Sequence, residues 1–439
     1  MNASHSRAAA PKGLRFPRRL LERIEPRSPR DAGIYLLLCV VLALFAVRGI
    51  GNSALPHGSD FTFYYDAGRA ILRGEDPFGV EGFIYLPAFA VLVGPLALLP
   101  YTLASVVWQV ASLTALLWSA RAACRLAVGE RGEAPSWALW LPLATVVRFA
   151  DSNLSYGQVN AFTLALILWA VLALRRGAWG RCGVAIGLAG VIKILPLVLV
   201  PYCLLKGYRK AAATACLSFV ALAALLPVPF LGPSGTARSF GGFWEVIARP
   251  YAEGGQELLD ERRYVAGQSL TGVAYRLLTD SPASSNDDAS RANLVSLPPA
   301  EVQGIVLALI ALHVAAFLIV LLRLGVPMHS GAWAKEVGFT LCTVLLVAPL
   351  VHKAHMLWVL PASTAAFVAW PRRRPGGWAR AHRAAFLLGT ASIALTTPAL
   401  LGAFLPPYSS AFCVFFGIEA IWLSLIADRL SDPAPECWT

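Results

Sequence analysis

Apolar stretches of roughly 15 to 24 residues recur along the whole chain, separated by short polar clusters, a pattern that predicts membrane helices rather than the core of a soluble domain. They fall at about 33–50, 102–125, 137–150, 159–174, 211–231, 302–323, 335–350, 356–370, 382–403 and 411–428. Two more apolar segments are irregular. Residues 84–99 are short and carry Pro87 and Pro95. Residues 182–205 hold Lys193 and Pro196 at their centre, with basic clusters at both ends. Such interruptions predict re-entrant hairpins or broken helices, which are tolerated at membrane depth only where protein covers them or they line a cavity. A β-barrel would show alternating segments of about ten residues instead. The expected fold class is therefore all-α: a polytopic transmembrane bundle of about 10–12 membrane helices with re-entrant or broken segments. The run from Gly33 to Gly51 lacks a small-x-small cleavage site and is followed by many more spans, so it is read as a span and not as a cleaved signal.

Composition agrees with this layout: 57% of the 439 residues are hydrophobic and 14% are charged, with a mean hydropathy of +0.61. Charge then orients the helices. With the N-terminus in the cytoplasm, ten crossings and two re-entrant segments, the cytoplasmic side receives 25 of the 37 Lys and Arg residues, eight of them within residues 1–32. The net charge of +12 is thus mainly a topology signal plus attraction to anionic membrane lipids, and no nucleic-acid partner is expected. The expected organisation is a basic cytoplasmic tail at 1–32, a transmembrane domain at 33–430 with outer loops 51–83 and 232–301, and a cytoplasmic tail at 431–439. The location expected is the plasma (inner) membrane, with the working surface outside. Ser281 to Pro299, rich in Ser, Asp, Asn and Pro, reads as a mobile linker. The eight cysteines are scattered in apolar runs without ligand-like spacing and read as small buried hydrophobes.

Candidate chemistry gathers on the expected outer side. Asp60 follows the first span directly. It is read either as a plain cap for a helix beginning at Phe61 or as a general base whose pKa is raised by partial desolvation at the water–lipid boundary. Across 60–73, Phe61, Tyr64, Gly68, Ile71 and Leu72 form one helical face and Asp66, Arg69 and Arg73 another, which predicts an amphipathic helix on the membrane surface. Asp76, before Pro77, reads as a turn residue. Arg69 and Arg73 suit headgroup anchoring or phosphate binding. His352, Lys353 and His355 lie between two apolar runs and suit a lipid phosphate or a snorkelling interfacial cluster; no H-E-x-x-H pattern accompanies them, so no metal is assigned. Lys193, costly inside an apolar run, is a phosphate counter-ion or a cap for broken-helix carbonyls. The polar turn Asp151–Gln158 and the segment Gln268–Gly272, which opens a short amphipathic helix ending near Leu278, are sugar-binding candidates or ordinary loops. The chain carries no Walker loop, no G-x-G-x-x-G and no G-x-S-x-G, so nucleotide-driven chemistry has no support and no cofactor is expected.

These residues resemble a GT-C glycosyltransferase, most closely glycosyltransferase family 87, over about Asp60 to Pro361. DFTFYYDAGRAILRGEDPF matches the family's D-F-x-x-Y-Y-x-A-x-R-A-x-L-x-G-x-D-P. YLPAFAVLVGPLALLP is close to its Y-P-P-L-F-A-L-L-x-x-P-L-A-L-L-P, with Leu86 in place of the first proline. Tyr156 to Asn160 resembles N-G-Q-x-N, Ile192 to Pro196 meets I-K-x-x-P, and Gln268 to Gly272 meets Q-S-L-x-G. The segment S-P-x-S-W-x-H-H departs most: here it reads APLVHKAH, so only Pro349 and His355 align. The resemblance implies a polyprenyl-phosphate-sugar donor, a lipid or glycan acceptor, and Asp60 as catalytic carboxylate in an inverting single displacement. It implies donor-phosphate contacts from His355, Lys353, Lys193 and Arg69. It also implies sugar or acceptor contacts from Tyr64, Gln158, Asn160, Gln268 and Ser269. The competing class is a transporter or lipid-linked-glycan flippase, which would use broken helices but would not need a carboxylate in the first outer loop. A ligase of lipid-linked glycans would need a larger outer domain than 232–301 provides.

Overall fold

A computed structural model describes residues 28–55, 58–129, 134–249, 267–283, 289–323, 328, 330–369, 377–397, 400, 404 and 409–431. The described residues form helices joined by turns and short extended stretches, without strands, and make the expected all-α membrane bundle. The tails expected at 1–32 and 431–439 lie almost wholly outside the described residues.

Helix α1 (Pro29–Ser53) starts at Ser28, whose hydroxyl accepts from Asp31 N, and Asp31 sits favourably at the positive end of the helix. The short helix α2 (Asp60–Leu72) follows, then α3 (Pro87–Ala97) and the long α4 (Tyr101–Val128). Helices α5 (Trp140–Thr145) and α6 (Val147–Ser155) replace the expected straight span 137–150. The chain leaves helical geometry at Val146 (φ −105°, ψ 7°), so the apolar run is two short helices. Helix α7 (Asn160–Arg175) packs on α4, and buried Arg175 closes its far end by donating to Leu126 O (2.8 Å) and Met328 O (2.9 Å).

The segment 182–205 is a hairpin. Helix α8 (Trp179–Ile192) rises to Lys193, and the chain returns through a 3₁₀ turn (Leu195–Val198) and α9 (Leu199–Leu205). The rings of Trp179 and Tyr208 stack 5.5 Å apart, so the hairpin begins and ends at one place. Helix α10 (Arg209–Leu225) then runs parallel to α8 at very close range. A Cβ on Gly183 would come within 2.5 Å of Thr214, and one on Gly187 within 2.7 Å of Ser218. Glycine is needed for this approach, the packing that small residues permit between membrane helices. Lys193 therefore marks the tip of a re-entrant-type hairpin, one of the two outcomes expected for that segment.

The expected span 211–231 is also broken. Helix α11 (Val228–Phe243) continues as a π-turn to Ala248 and leaves α10 at 95° after Pro227. It lies over the 74–80 segment, where Ser239 donates to Asp76 Oδ1 (2.7 Å); Asp76 also caps the turn Pro77–Gly79, as its reading as a turn residue requires. Helix α12 (Leu270–Leu278) matches the amphipathic helix expected after Gln268. The described part of 281–299 is not a free linker: Leu294 N and Leu297 N donate to the carbonyls of Leu277 and Leu278, folding the strand of chain back on α12. The bundle is completed by α13 (Pro299–Arg323), α14 (Gly331–Val347), a 3₁₀ segment (Lys353–Val359) leading into α15 (Leu360–Ala369), α16 (Gly377–Leu395) and α17 (Ser409–Ser431).

By length and composition α1, α4 and α13 can each cross a membrane, and α10 with α11 makes a fourth if the bent pair counts as one span. Of the other apolar segments, 137–150 and 182–205 are interrupted, α7 and α14 are shorter helices of 16 and 17 residues, and α16 and α17 are helices of 19 and 23 residues. A hydropathy window averages over the breaks at Val146 and Pro227 and so sees continuous spans there. Three clusters make up the interior, the smallest of them Leu86, Ala88, Val191 and Ala223. The largest joins α4, α7, α14 and α15, and the next is aromatic, built from Phe61, Tyr64, Tyr65, Phe83, Phe89 and Trp108 at the C-terminal end of α1.

Candidate active site

The site is assembled at that aromatic end, around the start of α2. The expectation that Asp60 caps α2 is corrected: Ser59 is the cap, with extended backbone and its hydroxyl accepting from Phe61 N (3.3 Å). Asp60 is the first helical residue, and its carboxylate is left for other partners. Its backbone N donates to Tyr156 O (2.9 Å), and Ser59 Oγ donates to the same carbonyl (3.2 Å), which ties α2 to the turn before α7. That turn requires glycine. Gly157 has φ +64°, and a Cβ there would lie 2.6 Å from Ser59 Oγ. Trp108 Nε1 fixes the turn from below by donating to Gly157 O (2.8 Å), and Asn153 Oδ1 accepts from Ala161 N (3.3 Å).

A polar chain runs from Asp60 to Lys193. Lys193 Nζ donates to Asn160 Oδ1 (3.2 Å), and Asn160 Nδ2 donates to Gln158 Oε1 (3.1 Å). With its oxygen so occupied, Gln158 has its amide N–H₂ left to donate, and Gln158 and Tyr64 are the polar side chains that act on the Asp60 carboxylate. Asp60 opens α2 and Lys193 follows α8, both outside the spans. Burial raises the Asp60 carboxyl above its ordinary 3.8, against the opposing pull of the Lys193 charge and of these two side chains. Burial also lowers the Lys193 ammonium to about 7, with the Asp60 charge opposing. A carboxylate whose pKa is raised thus faces a cation that is easily neutralised, the kind of environment tuned for proton transfer.

The loop after α14 brings His352 and His355 to the same place. His352 N donates to His355 Nδ1 (3.0 Å), and the same ring nitrogen lies 3.3 Å from His352 O; with Nδ1 accepting, the ring proton is on Nε2. Buried His355 Nε2 has no partner among the described residues, and both imidazoles feel the Lys193 charge. Burial and that charge push His352 down to about 4 and His355 well below 6.5, so both are neutral near pH 7 and act as hydrogen-bonding groups. Among the described residues no set of three His, Cys, Asp or Glu side chains converges as a metal cage.

Several expected contacts fall elsewhere. Arg69 is exposed and lies nine residues from Asp60, half a turn out of phase on α2; its charged neighbour is Asp66. Lys353 is exposed and faces Arg148, not Lys193. Tyr64, Asn160, Gln268 and Ser269 are buried and engaged by protein, which leaves them behind the site rather than open to a sugar. Gln268 N donates to Val351 O (2.7 Å) and Ser269 Oγ to Pro349 O (3.2 Å), so the Gln268–Gly272 motif braces the histidine loop. Buried Arg276 holds the brace in turn, donating to Gly267 O (2.7 Å). Neither Arg276 nor Tyr85, whose hydroxyl meets Tyr64 OH at 2.8 Å, stands out in the sequence: one reads as a helix-end charge, the other as an interfacial aromatic.

Next to the polar chain an apolar groove of about 320 Å³ opens between α3, α4 and α7, lined by Phe89, Leu92, Val93, Trp108, Phe162 and Ile192. Val159 also lines it, between Gln158 and Asn160, and Ile192 precedes Lys193. Two lining residues of the groove are thus chain neighbours of the polar residues Gln158, Asn160 and Lys193.

The family model of glycosyltransferase family 87 matches residues 83–351, more than half of the chain. The chain belongs to glycosyltransferase family 87. It is a membrane glycosyltransferase. It is similar to a polyprenol-phosphate-mannose-dependent alpha-(1-2)-phosphatidylinositol pentamannoside mannosyltransferase of Mycolicibacterium smegmatis, at 28% identity over 84% of this chain and 83% of that protein. A relative of the same name from Mycobacterium tuberculosis (strain CDC 1551 / Oshkosh) is 33% identical over 49% of this chain and 50% of that protein. A polyprenol-phosphate-mannose-dependent alpha-(1-2)-phosphatidylinositol mannoside mannosyltransferase of Mycobacterium tuberculosis (strain ATCC 25618 / H37Rv) is 27% identical over 89% of this chain and 88% of that protein. No solved structure matches.

Proposed function

We propose that this family 87 glycosyltransferase moves a mannosyl group from a polyprenyl-phosphate donor to a hydroxyl of a lipid or glycan acceptor, on the extracytoplasmic side, by a single inverting displacement. The observation that carries the reading is the hydrogen-bonded chain Lys193–Asn160–Gln158 beside Asp60, with an apolar groove lined by the chain neighbours Val159 and Ile192. A donor of this class has one anionic phosphate between a sugar and a branched hydrocarbon tail. The groove suits the first isoprene units, Lys193 the phosphate, and the space between Lys193 and Asp60 the sugar.

Asp60 takes the proton from the acceptor hydroxyl as its oxygen bonds to the anomeric carbon, and the bond from that carbon to the phosphate oxygen breaks on the opposite face. The departing polyprenyl phosphate gains negative charge. The Lys193 ammonium and the His355 Nε2–H stabilise that charge, so no general acid is required. Tyr64, Gln158 and Asn160 fix the carboxylate and the ammonium, and Gln268 and Ser269 hold the histidine loop. Arg69 and Lys353 have no part in the transfer. The relatives' names favour a phosphatidylinositol mannoside as acceptor.

The test is a donor panel with purified protein in lipid nanodiscs: polyprenyl-phosphate-mannose, other polyprenyl-phosphate sugars, and a nucleotide-activated mannose, each with phosphatidylinositol mannosides. Transfer from the first alone supports the reading. Transfer only from another lipid-phosphate sugar corrects the sugar. Translocation of the donor across liposomes without transfer refutes it in favour of a flippase.

A further inference from the structure

The Lys193 hairpin is held at its far end by a polar network that the reaction above does not use. Glu336, on α14 and 3% exposed, has both carboxylate oxygens engaged by the return leg of the hairpin. Oε1 accepts from Tyr202 OH (2.7 Å) and Oε2 from Lys206 Nζ (2.9 Å). Tyr202 OH accepts in turn from Trp333 Nε1 (2.8 Å), so α14 grips one turn of chain from both sides of a phenol. An indole only donates, a carboxylate only accepts and a phenol has one proton, so every direction in the network is fixed. Helix α14 is itself anchored at this level. Lys335 Nζ donates to Asp428 Oδ2 on α17 (2.7 Å), and the Arg175 guanidinium of α7 lies over the Trp333 ring (5.2 Å).

Two helical paths lead from this anchor to the donor-phosphate site. Back along the hairpin, Tyr202 to Leu199 of α9 and then the 3₁₀ turn rise by about 14 Å to the tip at Lys193. Along α14, Glu336 to Val347 rises by about 16 Å, after which the loop carries His352 and His355. The paths are nearly equal in length, and they end on the two groups assigned to the phosphate. A buried ion pair adds little net stability, because desolvation offsets its attraction; fixing register is its best-attested use.

We propose that Glu336 is a positioning residue for the donor-phosphate site: by clamping Tyr202 and Lys206 it sets the height of the Lys193 ammonium against the His355 Nε2–H, so that both meet one phosphate group. The proposal rests on Lys193 and His355 being the phosphate ligands. The double variant Lys206→Met/Glu336→Gln removes the ion pair without leaving a buried charge unpaired, and the new amide oxygen still accepts from Tyr202. It therefore folds and melts close to the wild type. Polyprenyl phosphate binds it about tenfold more weakly, the effect expected of one charge-assisted hydrogen bond. Because Glu336 acts through Lys193, that loss disappears in a Lys193→Gln background, whereas a general loosening of the protein lowers affinity equally in both.

Position is read without any ligand, by dipolar electron paramagnetic resonance in nanodiscs between encoded spin labels at the exposed positions Ile194 and Lys353. The expected result is one narrow distance in the wild type and a broader or displaced one in the double variant, at an unchanged melting temperature. Tyr202→Phe, which removes one tie and keeps the ion pair, gives a smaller change of the same kind and carries both tests if the double variant does not fold. An unchanged distance distribution overturns the proposal, as does an equal loss of affinity with and without the Lys193 charge. Distances that move as expected while polyprenyl phosphate affinity stays at the wild-type value uphold the clamp on the hairpin and overturn the reading of Lys193 as phosphate ligand.

Discussion

Replacing Lys193 by Gln keeps an amide donor for Asn160 and removes the charge. In the empty site burial holds the ammonium at about 7 instead of 10.5, so at pH 8 about nine molecules in ten carry a neutral amine. A phosphate oxygen about 4 Å from Nζ attracts the ammonium by about 4 kcal/mol at an effective dielectric of about 20. The site is partly open to solvent, and screening roughly halves that figure, leaving about 2 kcal/mol or ~30-fold in affinity. The same energy raises the Lys193 pKa by about 1.5 pH units on binding. Three outcomes are expected for the binding of a short-chain polyprenyl phosphate. At pH 6 the Lys193→Gln variant binds ~30-fold more weakly than the wild type. Between about pH 7 and 8.5 the wild-type affinity falls by up to tenfold per pH unit, because free Lys193 must first take up a proton. Near pH 8 binding therefore consumes up to one proton, and Lys193→Gln consumes none. Isothermal titration calorimetry in two buffers of different ionisation enthalpy measures the proton directly. His352, held near 4, and His355, held lower than its ordinary 6.5, stay neutral throughout and cannot supply the signal; Asp60, raised from 3.8, belongs to the acid limb. Equal proton uptake by wild type and Lys193→Gln, or none by the wild type at pH 8, refutes the reasoning.

Other perturbations follow from the same geometry. Gly157→Ala forces a side chain into a left-handed backbone position 2.6 Å from Ser59 Oγ, costing about 1–2 kcal/mol before any clash; the melting temperature should fall, and transfer should drop at least tenfold as Asp60 and Gln158 part. Gly187→Val drives the hairpin away from α10 at Ser218, an overpacking cost of about 1–3 kcal/mol, and should lower thermal stability in detergent and donor affinity together. Trp108→Ala enlarges the apolar groove and removes the hydrogen bond to Gly157 O, so the preference among donors of different isoprenoid length should weaken, read as a flatter series of kcat/KM values.

Much of the site is legible in the chain because polar residues in apolar surroundings are conspicuous. Asp60 stands directly past a span, and Lys193 interrupts an apolar run beside Pro196, so desolvation alone singles out both. The Gln158–Asn160 link was suggested only by family resemblance, since its meaning comes from two side chains separated in sequence from Asp60 and Lys193. Arg69 and Lys353 stand out because any cation near a boundary suits a phosphate; both are exposed, and Arg69 is half a turn out of phase with Asp60 on α2. Gln268 and Ser269 are buried against the histidine loop, and a buried brace and a sugar ligand use the same polar atoms. The hydroxyl contact between Tyr64 and Tyr85 is silent in sequence: Tyr64 enters there as part of an apolar face and, through the resemblance, as a sugar or acceptor contact, and Tyr85 only as part of a family motif. For the fold, the apolar runs place the helices well. Their continuity is not encoded in average hydropathy, and the breaks at Val146 and Pro227 become visible only once α5, α6 and α11 are seen to pack separately.

The most direct measurement is the rate of mannosyl transfer from polyprenyl-phosphate-mannose to a phosphatidylinositol mannoside by the wild type and by Asp60→Asn, with circular dichroism and melting temperature to establish that both are folded. A general base is worth about 10²- to 10⁴-fold, so Asp60→Asn should fall by at least a hundredfold in kcat while still binding polyprenyl phosphate through Lys193. Transfer by folded Asp60→Asn at a rate close to that of the wild type would contradict the account.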